Sequence, residues 1–428
     1  MNRNIIIALL LSGLSLSVIL LIIWEFHAAA GIRRSTAPSS ADVSGLVSAS
    51  PSLPARTPID MPEPTPSPSN NPEPAPSPVV PPPLVPDLTK DEITFLHPGA
   101  VNNKEDLDFV KARIANGEQP WTGLFSRMSA LAVAGIHETA PLDENGQKED
   151  GRKAYANALA WYYSGDEKYA RNAIGILNVW GRTFDGYSSK IGQNQLQGGW
   201  IGALLGPAAE IMRGYDGWKT VDRKALQSMF KKAFYPVLNE MSTWNGNVDL
   251  TQIDAMMSIA VFCEDAAEFN LGIQRLQSRI PDYFYLVSDG VRSDASRWYN
   301  PQKWVDGLMQ ETCRDNGHHA QYAMASALHA AEVAWNQGVD VYGPYTERFT
   351  TAMELLAGQL LSGDMQGVNN VKTVTRSLFD AWEIGYNHYH NRLGIDLPNT
   401  EKLILTRVRA SGQSDWNIFY ESLTHCLN

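Results

Sequence analysis

Cysteine is scarce: Cys263, Cys313 and Cys426 are the only three in 428 residues, with no CxxC pair and no zinc-type spacing. One disulfide is open to the chain in an oxidising compartment, but an odd count leaves at least one free thiol. Positive charge is also in deficit, with 35 Lys and Arg against 46 Asp and Glu, a net charge of −11. That balance excludes a nucleic-acid partner, which needs a basic face to displace phosphate counterions. It also works against long-range attraction of a polyanion, although fields beyond about 10 Å are largely screened at 0.1 M salt. Segments alternating with period two are few, so the chain carries little strand signal. No cofactor motif and no metal ligand set is readable. His318 and His319 are adjacent and diverge on a helix, and His388 and His390 lack the i, i+4 spacing of paired zinc ligands.

What is present begins with an address. Arg3 precedes an uncharged apolar run from Ile5 to Trp24, long enough to span a bilayer as a helix. Ala28, Ala29 and Ala30 offer a small-residue cleavage site, so a signal anchor and a cleaved signal peptide both fit residues 1–30. Residues 31–90 are rich in Pro, Ser and Ala and predict a disordered, semi-rigid spacer. The expectation is an exported domain at 91–428, periplasmic or extracellular, held to a membrane if the apolar segment is not cleaved, and acting as a monomer.

Residues 91–428 read as all-α. A helix begins near Gly151 and ends at the turn Ser164-Gly165-Asp166, and a second runs from Glu167 to Trp180 with Ala170, Ala173, Ile174, Leu177 and Trp180 at helical spacing. Further helices are predicted at about 200–213, 222–241, 250–269, 271–287, 321–337, 345–362 and 377–393. Many helices joined by short turns predict packed helix hairpins. The 12 Trp and 16 Tyr are enough to furnish such cores and to line a sugar-binding groove as well.

Several strings lie in order along this domain: Phe95-Leu96-His97-Pro98-Gly99, Gly117-Glu118-Gln119-Pro120-Trp121, Trp161 with Gly165-Asp166 and Tyr169-Ala170, and Asn194 through Trp200. Asn245-Gly246-Asn247, Gln310-Glu311-Thr312-Cys313-Arg314-Asp315 with Gly317-His318, and Glu383 through Tyr389 complete the series. Together they resemble the alginate-lyase family of polysaccharide lyases. The resemblance implies an α/α toroid or incomplete α/α barrel and β-elimination on an acidic, uronate-containing polysaccharide of the alginate or glucuronan type.

That reaction removes the C5 proton of a uronate and expels the oxygen on C4. The carboxylate beside C5 must be neutralised, a base must take the proton, and an acid must protonate the leaving oxygen. Arg314 is the candidate for carboxylate binding, His318 for base or orienter, and Tyr322 for proton donor. If the segment is helical, the three are four apart and share a face; if Gly317 breaks it, Arg314 sits on the preceding loop. Asn247 is a second candidate for the carboxylate. The family often follows this Asn with a His, and here Val248 stands in that place. Gln195, Trp200, Asp249, Glu311, Glu383, Tyr386, Asn387 and His388 are candidates for substrate binding. Each has a plain structural alternative: Arg314 paired with Glu311 or Asp315, Tyr322 and Trp200 as core, Asn247 or Asp249 as a helix cap, and the 383–388 group as a buried polar network.

Two other functions fit the same residues. A glycoside hydrolase on a related toroid would need two carboxylates about 5–9.5 Å apart, for which Asp249, Glu311, Asp315 and Glu383 are available. A non-catalytic polysaccharide binder would keep Arg314 and the aromatic residues without a base or an acid.

Overall fold

A computed structural model describes residues 87–427 apart from Asp91, Val371 and Lys372. The expected apolar segment and nearly all of the expected spacer lie outside these residues. Among the described residues there are isolated bridges but no strands, and no helix is long and apolar enough to cross a membrane. The helices include α1 (Lys104–Ala115), α2 (Trp121–Ser129), α3 (Glu144–Ser164), α4 (Glu167–Thr183), α5 (Gln193–Met212), α6 (Thr220–Met229), α7 (Gly246–Cys263), α8 (Ala266–Tyr283), α9 (His318–Asn336), α10 (Thr346–Ser362) and α11 (Glu383–Tyr386). A π turn, Phe230–Phe234, carries α6 on to Leu238, and another, Asn387–Arg392, extends α11.

Composition sorts these helices into two layers. α7 is buried over every one of its 18 residues, and α5 and α9 over nearly all of theirs. A helix apolar all round has to lie inside, whereas one with a single apolar stripe covers it from outside. α4 is of the second kind: Ala170, Ala173, Ile176, Leu177 and Trp180 are buried, with Ile176 rather than the expected Ile174 completing the stripe. α3, α5, α7 and α9 pack in sequence as inner helices, while α4 and α8 return antiparallel against them. This alternation is the architecture of an α/α toroid.

The inner helices run parallel and in register. On α5, Gly199, Gly202 and Gly206 face Thr251, Ala255 and Ser258 of α7, while on α9 Ser326 and His329 meet Thr251 and Asp254. The glycines set the spacing: a Cβ on Gly199 would stand 2.7 Å from the Thr251 side chain and 3.0 Å from its backbone. Gly199→Val should therefore force the two helices apart and lower stability by about 1–3 kcal/mol, visible as a lower urea midpoint.

Helix ends differ from the sequence reading for local reasons. Gly165 in the left-handed region closes α3 and Asp166 caps α4, as the turn predicted. The boundary expected near 270 falls instead at Glu264, whose left-handed backbone (φ 51°) ends α7 before Asp265 caps α8. α5 starts at Gln193, seven residues before the expected Trp200: Gln195 closes its first turn by accepting from the Gly192 N–H, and Gly199 already packs on Thr251 of α7. The helix expected from 377 starts only at Glu383: residues 378–380 are extended, exchanging backbone hydrogen bonds with Gln413. None of the three cysteines is in a disulfide, and burial pushes the Cys263 and Cys313 thiols up to about 12 and 11, which leaves them poor nucleophiles.

A buried polar seam joins α7, α9 and the C-terminal segment. His329 is bonded through Nδ1 to Asp254 (3.0 Å) and through Nε2 to Glu421 (2.8 Å), and Asn417 bridges Asp254 and Ser326. Burial alone would strip the His329 proton, but the two carboxylates raise its pKa to about 10. A raised folded-state value means the stabilisation is complete below the ordinary histidine value and is lost as pH rises toward 10. Thermal stability should thus fall between pH 7 and 10 with a slope of up to about 1.4 kcal/mol per pH unit. His329→Gln should be less stable at pH 7 but should flatten that slope, as melting curves across the range would show.

Candidate active site

The amino termini of the inner helices lie at one end. Gln193 at the start of α5 bonds Glu144 at the start of α3 (3.0 Å), and Gln195 reaches the Glu240 carbonyl on the way into α7 (2.6 Å). The segment before α9 plugs the start of α7, with Gln310 and Glu311 accepting from the backbone N–H groups of Gly246 (2.8 Å) and Asn247 (3.2 Å). Several helix dipoles therefore present their positive ends to one region. This local positive field offsets the acidic net charge just where a polyanion would bind.

The long connection 284–317 supplies the chemistry at this end. A small core of its Tyr285, Trp298 and Leu308 with Val368 from beyond α10, and with Trp304, Val305 and Cys313 against it, fixes the loop. Arg314 stands on it, ahead of the helix, because Gly317 (φ 90°) takes a backbone conformation that breaks the helix there. The half-buried Arg314 donates to the fully buried Glu311 at 2.6 Å. Glu311 also accepts from the Tyr283 hydroxyl (2.9 Å). Burial raises the Glu311 pKa against the opposing pull of Arg314 and Tyr283. Glu311 is thus a support that aims Arg314 and ties it to Asn247, not a group open to substrate. Asn247 is itself nearly buried, and its Oδ1 has no partner. Beside Arg314, Tyr299 donates to Asn245 Oδ1 at 2.8 Å.

The first turn of α9 carries the titratable groups. The Asp315 carboxylate holds His319 through both the ring Nδ1 and the backbone N–H (3.0 Å). Burial opposes ionisation of Asp315, but these bonds keep its pKa below the ordinary value. His318 packs against Tyr322 and Phe379, and burial lowers its pKa, so its imidazole is neutral near pH 7. The Tyr322 ring lies between Phe379 (4.5 Å between centroids) and Trp416 (4.0 Å). Burial, reinforced by Asp415 and Asp315, raises its pKa far above the ordinary value, so its hydroxyl keeps its proton. Tyr299, Asn316 and Trp416 all hold left-handed backbones (φ 58°, 58° and 51°). Such strain gathers where a surrounding structure over-determines a site.

Arg314, His318, Tyr322 and Asn247 are therefore brought to one end of the toroid, while the other predicted residues divide. Gln195 is buried as a cap of α5, and Trp200 stacks on Trp416 (4.8 Å, 15°) as part of the wall beneath the site. Asp249 is not open to substrate: it is buried and held by Arg275 and Arg279 of α8. Glu383 is buried against Arg409 (2.7 Å), and burial raises its pKa to about 7 despite that partner. Tyr386 stacks on His390, Asn387 bonds Asn391, and His388 stacks on Tyr342 beside Trp335, with burial lowering its pKa to about 4. Trp335 lies about 25 Å along α9 from His318 at 1.5 Å per residue, so His388 belongs to the opposite end. The 383–388 group is the buried network that was its structural alternative.

Asp249, Glu311 and Glu383 are each buried against an arginine, which leaves Asp315 alone of the four candidates for the pair of carboxylates a hydrolase needs. Among the described residues, Asp106, Glu332 and His425 come close enough to consider a cation, but Arg392 already bridges Glu332 (2.7 Å) and Asp106 (3.6 Å). That set is an ion pair away from the site. Sequence reasoning passed over Tyr283, Asp415 and Trp416, and weighed His319 only as a metal ligand. An Asp-x-x-x-His pair at i, i+4 could have singled out His319 over His318; the C-terminal pair carries no local signal.

The family model described as "Alginate lyase" matches residues 135–364. Comparison with curated proteins finds no match. Among solved structures, the fold is similar to alginate lyase A1-III from Sphingomonas species A1, with a TM-score of 0.51 at 14% identity over 71% of this chain and 90% of that one. A histidine-to-alanine variant of alginate lyase A1-III, complexed with a tetrasaccharide, matches with the same TM-score and identity over 70% of this chain and 88% of that one. An alginate lyase from Bacteroides ovatus matches with a TM-score of 0.51 at 14% identity, over 77% of this chain and all of that one.

Proposed function

Because this chain belongs to the alginate lyase family and is a polysaccharide lyase, we propose that the amino-terminal end of its inner helices cuts a uronate polymer by β-elimination with Arg314, Asn247, His319 and Tyr322. The observation that carries this reading is the placing of a supported cation, a carboxylate-bound histidine and a protonated tyrosine within one loop and one helical turn. Arg314, aimed by Glu311, binds the carboxylate on C5 and withdraws charge from it. Asn247 is fastened to the same Glu311 and adds an amide at this point. The C5–H bond breaks and its proton passes to His319 Nε2, the nitrogen left free when Asp315 takes Nδ1. The electron pair forms the C4–C5 double bond as the C4–O bond breaks, and Tyr322 gives its proton to the departing oxygen. His318, uncharged, lines the same wall. No residue follows Asn247 as a base, and His319 fills the role that Val248 leaves open.

Alginate and glucuronan are the substrate types this reading favours, with a monomeric, exported enzyme. The apolar run and proline-rich spacer support export. The test is a panel of uronate polymers followed by the ultraviolet absorbance of an unsaturated uronate end. Rising absorbance on at least one polymer is expected. New reducing ends with no absorbance would instead mark a hydrolase.

A further inference from the structure

We propose that Trp416 is a positioning residue for the proton donor of this reaction, delivered to the site by a clamped turn near the C-terminus. The proposal rests on the reading of Tyr322 as that donor. The matched family segment ends at residue 364, so this turn lies outside it.

The turn is held on both sides of Trp416. Before it, the Gln413 N–H donates to the Leu378 carbonyl (2.8 Å), and the Gln413 carbonyl accepts from the Asp380 N–H (3.0 Å). After it, Asn417 sends its side-chain amide inward to Asp254 (2.9 Å) and Ser326 (3.0 Å), groups buried between the inner helices. Asp415 and Ile418 exchange both backbone hydrogen bonds across the turn, and Asp415 also accepts from the Trp416 N–H (2.9 Å). Lys148 on α3 stands 3.7 Å from the Asp415 carboxylate. Between these anchors Trp416 keeps a left-handed backbone, unfavourable for a bulky side chain.

The result is a sandwich. One side of the indole meets Trp200 in a near-parallel stack, and its other contacts are Tyr322 at 4.0 Å and His319 at 5.9 Å between centroids. Phe379, carried by the segment that pairs with Gln413, covers Tyr322 from elsewhere at 4.5 Å. Tyr322 is aimed by the rings that confine its own, and those rings are brought by one paired unit, 378–380 with 413–417. Their work is to hold the phenol over the leaving oxygen while the base acts.

The test uses the full chain on its best polymer, with kcat and KM measured separately. Trp416→Ala should lower kcat about 10- to 100-fold with KM changed less than about threefold. Trp416→Leu keeps the turn filled should Trp416→Ala fail to fold, and it should show the same loss; Trp416→Phe should recover most of the rate. In a Tyr322→Phe background the Trp416 change should add almost nothing, because the group it aims is gone. A rise in KM at unchanged kcat would overturn the proposal in favour of a sugar-stacking platform. Losses that multiply in the double variant, or wild-type rates in both Trp416→Ala and Trp416→Leu, would also overturn it. Should Tyr322→Phe alone retain wild-type kcat, the donor assignment itself fails, a result separable from the other three.

Discussion

Arg314→Ala is expected to lower kcat/KM on the preferred uronate polymer about 100- to 1,000-fold, the range for removing one preorganised donor to a developing negative charge. The carboxylate on C5 already carries a charge, and loss of the proton adds electron density to it. Without a cation the enolate-like state has little to receive that charge. Most of the effect should fall on kcat, since the interaction strengthens as the proton leaves. The variant also leaves Glu311 buried with only Tyr283 and the Asn247 N–H as partners. Some loss of stability should accompany it. The double variant Arg314→Gln with Glu311→Gln separates the two effects: it removes the stranded charge and should recover the melting temperature, yet stay inactive. Recovery of activity along with stability would show that Arg314 serves the fold alone.

Tyr322→Phe should cost about 100- to 10,000-fold in kcat, the usual range for a positioned acid or base. Phenylalanine keeps the ring between Phe379 and Trp416, so the melting temperature should hardly move. Burial among these rings keeps the hydroxyl protonated, which suits a donor and argues against a resting phenolate base. A substrate carrying a better leaving group at C4 needs less help from an acid. On such a substrate the deficit of Tyr322→Phe should shrink. An equal deficit on both would mean that Tyr322 acts before the leaving oxygen departs.

The helical class was legible because it rests on local periodicity. The stripe on α4 and the Ser164-Gly165-Asp166 turn are spelled out in consecutive residues. The inner layer was less so: helices buried all round give no amphipathic signal, and the close approach that Gly199, Gly202 and Gly206 permit shows only once α7 is placed against them. That Arg314, His318 and Tyr322 lie together was legible for the same local reason, being one loop and the helix it feeds; which histidine is held by Asp315 was not. Asp249 and Glu383 were misplaced because their partners come from afar; Arg275 and Arg279 are 26 and 30 residues from Asp249, and Arg409 is 26 from Glu383. A carboxylate reads the same in sequence whether it faces a cleft or a guanidinium. His318 and His319 differ by about 100° around one helix, and only the bond to Asp315 decides which is held. Trp416 was invisible because its partners are brought to it by chain reversals across the molecule.

The most direct measurement is the mass of the products released from a defined uronate oligosaccharide by the full chain. Elimination splits the substrate without adding water, so the two product masses should sum to that of the substrate, one of them ending in an unsaturated uronate. Products that sum to the substrate plus one water would contradict the account and turn the site into that of a hydrolase.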